Sequence, residues 1–443
     1  MGLKYIETVK STILFLLVAL SIGFTFSIWT YTPSYETSEQ LPTVDISIAK
    51  KMAVDEIIKP YKTVFNFGRN LTGTIAPTDI DYVMNELKGW RMSEFTPVDV
   101  DFTPEKLDAL MRKPNRFILY FHGEVPLPIY SSVLNVEDVK MKVPEISFDR
   151  LIVDWNSASS SVNISFVSRA NHVLYSANVN VDDYQSFQRS IETWGSDLGQ
   201  YKDSNPGHSP FIAVSAEPVE IIGSMYYQRE ISPSRFRDAL FTDPNAVRRS
   251  QSGLNKEEYQ DDHALMNIDT ERKTLNYVVP ASESREYTNP SELLENTIDF
   301  VNEHGGWTDE FRYTNMNSGT RYVKFQLFLH GLPVYGDTTS TEMTQVWGDN
   351  RIFRYIRPYY TLDLPFPEPD VQLLRPGVEI IEALKKSETI DFNMVEELTP
   401  GYIMRQDTER KLFIMEPSWF YLIKGNWIRV SPELLGGGIV GLE

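Results

Sequence analysis

A few short stretches of the chain hold residue types that could do chemistry. Gly207-His208-Ser209-Pro210-Phe211 resembles a hydrolase elbow, where a sharp strand-to-helix turn exposes a serine hydroxyl to a general base. It lacks the last glycine and lies in a polar loop ahead of a strand, so a structural loop is expected. Gly436, Gly438 and Gly441 match the GxGxxG spacing that lets a backbone approach a pyrophosphate. That use needs a strand before and a helix after, whereas here the sequence runs out at Glu443. His304-Gly305-Gly306 could supply oxyanion-hole amides, but a helix C-cap accounts for the glycines better. Asp261-Asp262-His263 offers oxygen and nitrogen ligands with no second histidine at metal spacing. Among 61 acidic residues a close pair such as Asp79 and Asp81 arises by chance. With six scattered histidines and no phosphate-binding loop, no catalytic, cofactor or metal set is expected, and the chain does not read as an enzyme.

Bulk composition narrows the partners. The 443 residues carry 42 Lys plus Arg against 61 Asp plus Glu, a net charge of -19 that repels nucleic-acid phosphates. There is no cysteine, which excludes disulfides, thiolate metal sites and cysteine nucleophiles. A length of 443 residues can rest on hydrophobic cores alone, because the buried fraction of the surface rises with size.

The elements that would position any site begin with an apolar segment. No charge occurs from Ser11 to Tyr35, and Ile13–Trp29 is long enough to cross a hydrocarbon core of about 30 Å as a helix. Residues 1–10 are expected in the cytoplasm, because Lys4 and Lys10 precede the segment. Residues 11–33 form the expected transmembrane anchor, with Trp29, Tyr31 and Tyr35 at the outer interface. A cleaved signal peptide is the competing reading, and the apolar run continuing through Phe24, Phe26 and Ile28 argues against it. Ser11, Ala19, Gly23 and Ser27 fall on one stripe, the spacing that allows a second membrane helix to come close.

Beyond a linker at 34–44, three extracytoplasmic α+β regions are expected: 45–148, 149–286 and 287–435, then a flexible tail at 436–443. Periodicity places helices at Asp45–Lys59, Pro77–Leu87, Pro104–Met111, Pro233–Phe241, Pro290 to about Gly305, and Val378–Lys386. Tyr184, Phe187, Ile191, Trp194 and Leu198 give a further amphipathic helix, capped by Asp182. Alternation predicts hairpins through Val162–Val181 and Val323–Val334, and closing strands at Lys411–Lys424 and Trp427–Val430. Ile352–Leu362 reads as one strand, with Pro365–Pro369 crossing over to the next helix. Trp419, Tyr421 and Trp427 could line a groove, although alternating strand aromatics usually pack inward.

Four stretches carry a family likeness: SIWTYTPSYE (Ser27–Glu36), DALFTDPNAVRR (Asp238–Arg249), FQLFLHGLPVYG (Phe325–Gly336) and EPSWFYLIKGNWIRV (Glu416–Val430). With this length and topology the chain resembles the YycH (WalH) family, membrane-anchored accessory regulators of the WalK/YycG sensor kinase in low-GC Gram-positive bacteria. The resemblance implies three extracytoplasmic domains, the last PepSY-like or YycI-like. It also implies a YycI-type single-pass partner, action on a WalK/YycG-type sensor histidine kinase through transmembrane helices, and a role in cell-wall homeostasis. It carries no catalytic residues. The expected function is therefore a non-enzymatic regulator held in the lipid bilayer by its N-terminal helix. The alternative is an extracytoplasmic ligand-binding or envelope assembly module whose helix is only a tether.

Overall fold

The structure, a computed structural model, describes residues 10, 14–25, 48–99, 102–134, 136, 143–156, 161–251, 253, 255–284, 286–367 and 370–436. The chain divides into two units, Met1–Val44 and Asp45–Glu443. In the first, Lys10 and residues 14–25 are helical, and side chains from Leu14 to Phe24 are exposed. Among the described residues no helix is long and apolar enough to cross a membrane. The flanks of the expected anchor lie outside the described residues, as do Lys4, Ser11, Ser27, Trp29, Tyr31, Tyr35, the 34–44 linker and all of the tail but Gly436.

The second unit holds two large sheets. The first contains β1 (Lys62–Asn66), β2 (Leu71–Thr74), β3 (Arg91–Asp99), β4 (Arg116–Pro126), β5 (Ser147–Asn156), β6 (Ser161–Ser168), β7 (Val173–Asn180), β8 (Gly199–Asp203) and β9 (Ala213–Ser215). Its spatial order is β3-β7-β6-β5-β4-β1-β2-β8-β9, antiparallel throughout. The second sheet opens with β10 (Val219–Glu230), β11 (Arg248–Gln251), β12 (Lys256–Gln260), β13 (Leu265–Asp269) and β14 (Thr274–Val278). It continues through β15 (Phe311–Asn317), β16 (Tyr322–Leu329), β17 (Leu332–Gly336), β18 (Glu342–Trp347), β19 (Ile352–Pro358) and β20 (Tyr360–Pro365). Last come β21 (Asp370–Leu374), β22 (Glu397–Asp407), β23 (Leu412–Ile423) and β24 (Asn426–Arg429). The main path is β11-β12-β13-β14-β19-β18-β16-β17-β22-β23-β10-β20.

Helices cover these sheets for the reasons their sequences give. In Pro77–Lys88 the buried Ile80, Val83, Met84 and Leu87 recur at helical spacing on one face. Pro104–Met111 starts with proline, whose missing N–H costs nothing there, and Thr103 caps it by accepting from the Lys106 amide. In Tyr184–Ser196 Asp183, one residue past the expected cap, accepts from the Ser186 amide. Gly195 lets this helix sit on Phe65 and Phe67, since a Cβ there would lie 3.0 Å from the Phe65 ring.

Strand pairing corrects the expected domain limits. β4 and β5 pair from Arg116↔Asp154 to Pro126↔Ser147, so a boundary at 148/149 would cut one ladder. Likewise β14 pairs with β19 across the limit at 286/287. Loop composition, which suggested those limits, does not report which strands exchange hydrogen bonds. The first helix shrinks from the expected 45–59 to Val54–Ile57, because the backbone just before it bonds elsewhere. Ile352–Leu362 is two strands, β19 and β20, and β21 follows the proline stretch and pairs with β10 before the helix Gly377–Lys386 begins.

One hydrophobic cluster runs without a break from Phe65, Phe117 and Leu151 to Phe325, Tyr355 and Phe413, joining the two sheets. Backbones also meet directly at this junction. A Cβ on Gly123 would lie 2.5 Å from the Thr314 carbonyl oxygen, and the Tyr313 hydroxyl donates to the Glu124 carbonyl at 2.6 Å.

Candidate functional site

The chemistry-bearing stretches turn out to be structural. The Ser209 hydroxyl donates to the Asp108 carboxylate, whose other oxygen accepts from the Phe211 amide at 2.9 Å. Arg112 takes the carbonyls of Asn205 and His208, at 3.1 and 2.7 Å, so the loop is clamped and Ser209 faces a carboxylate rather than a histidine base. His304 stacks on Phe300 with ring centroids 4.1 Å apart, and Gly305 and Gly306 follow with φ of 106° and 76° as the helix end. Asp261 receives the amides of His263 and Ala264, a local turn. Asp79 accepts from Thr74, and Asp81 pairs with Lys59 at 2.9 Å. Gly436 ends a short 3₁₀ turn. Trp419 and Tyr421 are buried against Ile380, Ile381 and Leu384, and Trp427 packs edge-on to Tyr61 and His122. Of the small-residue stripe, Ala19 and Gly23 lie on the described helix, and beyond that helix's own backbone nothing among the described residues sits within 4 Å of where a Gly23 Cβ would be.

What the fold does bring together is a buried ionic cluster between the sheets. Lys62 on β1 lies 2.6 Å from Oε1 of Glu397, which opens β22 of the other sheet, and both are essentially unexposed. The second carboxylate oxygen of Glu397 is 3.5 Å from Arg150 on β5. Arg150 also meets Asp149 at 3.0 Å, and Asp149 holds Arg169 at 2.5 Å. Lys62 and Arg150 each sit 4.3 Å from the centroid of the Tyr120 ring, which adds cation–π attraction. Burial lowers the Lys62 pKa, and Glu397 opposes that shift. Burial pushes the Asp149 carboxyl up, but Arg169 and Arg150 outweigh it and hold it below its ordinary value.

His122 borders the same cluster, stacked on Tyr61 with centroids 4.1 Å apart. The residue as a whole is half-buried, yet both ring nitrogens are shielded and unpartnered among the described residues. Burial, reinforced by Arg312, Arg150 and Lys324, drives its pKa down to about 3. Glu124, two residues on, is pushed up to about 8 by burial and by neighbouring Asp149. Charges this deep are costly unless paired, and the pairing here fixes how one sheet sits on the other. Sequence patterning singles out none of these residues. The available signal is a charge inside an apolar strand, as in Lys62-Thr63-Val64-Phe65 and Phe148-Asp149-Arg150-Leu151-Ile152.

A cavity of about 620 Å³ opens beside Ile48, Met52, Arg229, Trp307, Asp309 and Thr361. Burial raises the Asp309 carboxyl to about 7, while its Oδ1 accepts from the Thr361 hydroxyl and the Leu362 amide. Among the described residues no group of three acidic or histidine side chains could hold a metal.

Residues 7–196 match the family described as "YycH protein, N-terminal domain", and residues 211–435 match "YycH protein, C-terminal domain". The gap between the two matches holds β8 of the first sheet, and β9 of the same sheet lies inside the second match. A Bacillus subtilis (strain 168) protein named "Two-component system WalR/WalK regulatory protein YycH" is 18% identical over an alignment 458 positions long, which covers 97% of each chain. The crystal structure of YycH from Bacillus subtilis superposes with a TM-score of 0.71 at 16% identity, over 87% of this chain and 100% of that one. At that identity the superposition shows the fold alone. With both family domains matched in order along nearly the whole length, the chain belongs to the YycH family.

Proposed function

We propose that this protein is a non-enzymatic, single-pass membrane regulator of a WalK/YycG-type sensor histidine kinase, acting with a YycI-type partner in cell-wall homeostasis. The observation that carries the reading is the end-to-end match to a relative named as a WalR/WalK regulator. In this reading the N-terminus is cytoplasmic, the folded unit is extracytoplasmic, and its C-terminal part is a PepSY-like or YycI-like module. The exposed apolar side chains of residues 14–25 support a bilayer as their surroundings. Ala19 and Gly23, with Ser27 and Ser11, form the contact face for the partner helices, and Lys10 with Lys4, Trp29, Tyr31 and Tyr35 anchors the ends.

A kinase whose membrane helices have two arrangements responds to any partner that packs better against one of them. A differential packing energy of about 1–3 kcal/mol shifts such an equilibrium by roughly 5–150-fold. Replacing Ala19, Gly23 and Ser27 together with isoleucine is expected to change kinase-dependent transcription at normal protein level. Unchanged output would remove that face from the mechanism. The 620 Å³ cavity favours a second reading, an extracytoplasmic ligand-binding module on a passive tether. Exchanging the anchor for an unrelated membrane helix separates the two: lost regulation supports the first, retained regulation the second.

A further inference from the structure

We propose that Ile48–Met52 is a strap through which the anchor helix loads the C-terminal half of the folded unit, with Asn302 as its fastening. The proposal rests on the membrane-regulator reading above. Beyond Met52 the chain enters the first sheet at β1, yet the strap itself is bound to the second half. The Ala49 amide donates to the Gly305 carbonyl at 2.8 Å, and the Trp307 amide donates to the Lys50 carbonyl at 2.9 Å. Asn302, on the last turn of the helix Pro290–Glu303, closes a two-way bond across 250 residues. Its Oδ1 accepts from the Met52 amide at 2.9 Å, and its Nδ2 donates to the Met52 carbonyl at 3.1 Å. The Trp307 indole N–H donates to the same Oδ1 at 2.9 Å, which fixes the orientation of the carboxamide.

The helix end is shaped to receive this segment. A Cβ on Gly306 would lie 2.5 Å from the Ala49 carbonyl oxygen and 2.7 Å from that of Lys50, and one on Gly305 would lie 2.9 Å from Ile48 Cδ1. Two glycines at positive φ therefore end the helix and admit the strap in the same step. The 620 Å³ cavity lies against one side of the strap, so the segment can lift without breaking a sheet. Displacement at Ile48 would act first on Asn302 and Trp307. It would then reach β15, whose Thr314 lies against Gly123 of the first sheet.

The test uses the full chain in nanodiscs, with Asn302→Ala removing the side-chain bonds and Gly306→Ala pushing the strap away from the other side. Hydrogen exchange at residues 49–52 is expected to speed up at least tenfold in both variants, with β1 and β22 unchanged. Kinase-dependent transcription should move in the direction produced by exchanging the anchor helix. If neither variant speeds exchange, these bonds do not hold the strap and the proposal is overturned. Faster exchange with unaltered transcription, while the helix exchange still alters it, overturns the strap and leaves the membrane-regulator reading standing. If the helix exchange also leaves transcription unaltered, both fall.

Discussion

Replacing Glu397 with leucine removes the one carboxylate that answers two cations of the opposite sheet. Among the described residues Lys62, 2.6 Å away, would keep only the Ala213 carbonyl at 3.2 Å as a hydrogen-bond acceptor, while Arg150 would keep the Asp149 carboxylate at 3.0 Å and the carbonyls of Asp149 and Phe121. Removing one partner of a buried pair costs about 3–5 kcal/mol, chiefly through the charge left behind. Lys62 already has its pKa lowered by burial, so shedding its proton limits the loss and the lower part of that range is expected. With an unfolding entropy of about 2.1 cal/mol/K per residue, a cooperative unit of about 400 residues loses about 4–5 °C in Tm. The sharper measurement is a double-mutant cycle. Lys62→Met in the Glu397→Leu background removes the stranded charge, and the double variant should recover at least about 1.5 kcal/mol over the sum of the singles. The assay is chemical denaturation of the full chain, followed by tryptophan fluorescence. Additivity within about 0.5 kcal/mol would refute the coupling and leave the two residues as independent buried charges.

His122 makes a pH prediction with a definite sign. Its ring titrates near 6.5 when unfolded and at about 3 when folded, so the unfolded chain takes up the proton first as pH falls. Relative to His122→Phe, the wild type should lose up to about 5 kcal/mol between pH 6.5 and 3; equal stability differences at pH 7 and pH 4 would contradict this. Gly331 turns the β16–β17 hairpin at φ 80° with a Cβ position 2.4 Å from Pro77 Cγ, whereas Gly425 has φ 74° and open space around it. Gly331→Ala is therefore expected to cost about 2–4 kcal/mol and Gly425→Ala about 1–2 kcal/mol, and equal losses in denaturation would show that the Pro77 contact is slack.

Local signals carried much of the fold. Pro104–Met111 begins and ends where its proline and apolar spacing place it, and the hairpin of β6 and β7 follows from alternation around Ala170-Asn171. These elements depend on neighbours in sequence. β22 escapes such reading because Pro400 and Gly401 interrupt its pattern, yet it pairs with β23 over eleven residues, from Glu397↔Leu422 to Asp407↔Leu412. β11 is four exposed polar residues that hold a strand only through the β12 ladder. The ionic cluster was hidden for a related reason. A lone Lys62 at the head of an apolar strand reads as a solvated edge, and its burial is permitted by a carboxylate 335 residues away. Asn302 likewise looks like any polar position on an amphipathic helix until Met52 arrives from the far end of the chain.

These long-range contacts decide what kind of regulator the folded unit can be. Apolar burial is non-directional, so the hydrophobic cluster that spans both sheets stabilises their contact without dictating one orientation. The pairing of Lys62 and Arg150 with Glu397 is directional, and a slip of one sheet on the other would expose each charge to an unpaired, low-dielectric setting. The unit is thereby held in one arrangement at its centre, while Ile48–Met52 is fastened to the end of the Pro290–Glu303 helix by backbone hydrogen bonds and the Asn302 side chain. Breaking those bonds exposes peptide groups that water can satisfy, at a net cost of about 0.5–1.5 kcal/mol each. The central cluster has no such exchange available. In a membrane regulator of this build, a bound partner or a moved helix would alter the strap well before it altered the junction of the sheets. The signal would then travel as a change in how a rigid body is held, rather than as a change in its internal shape.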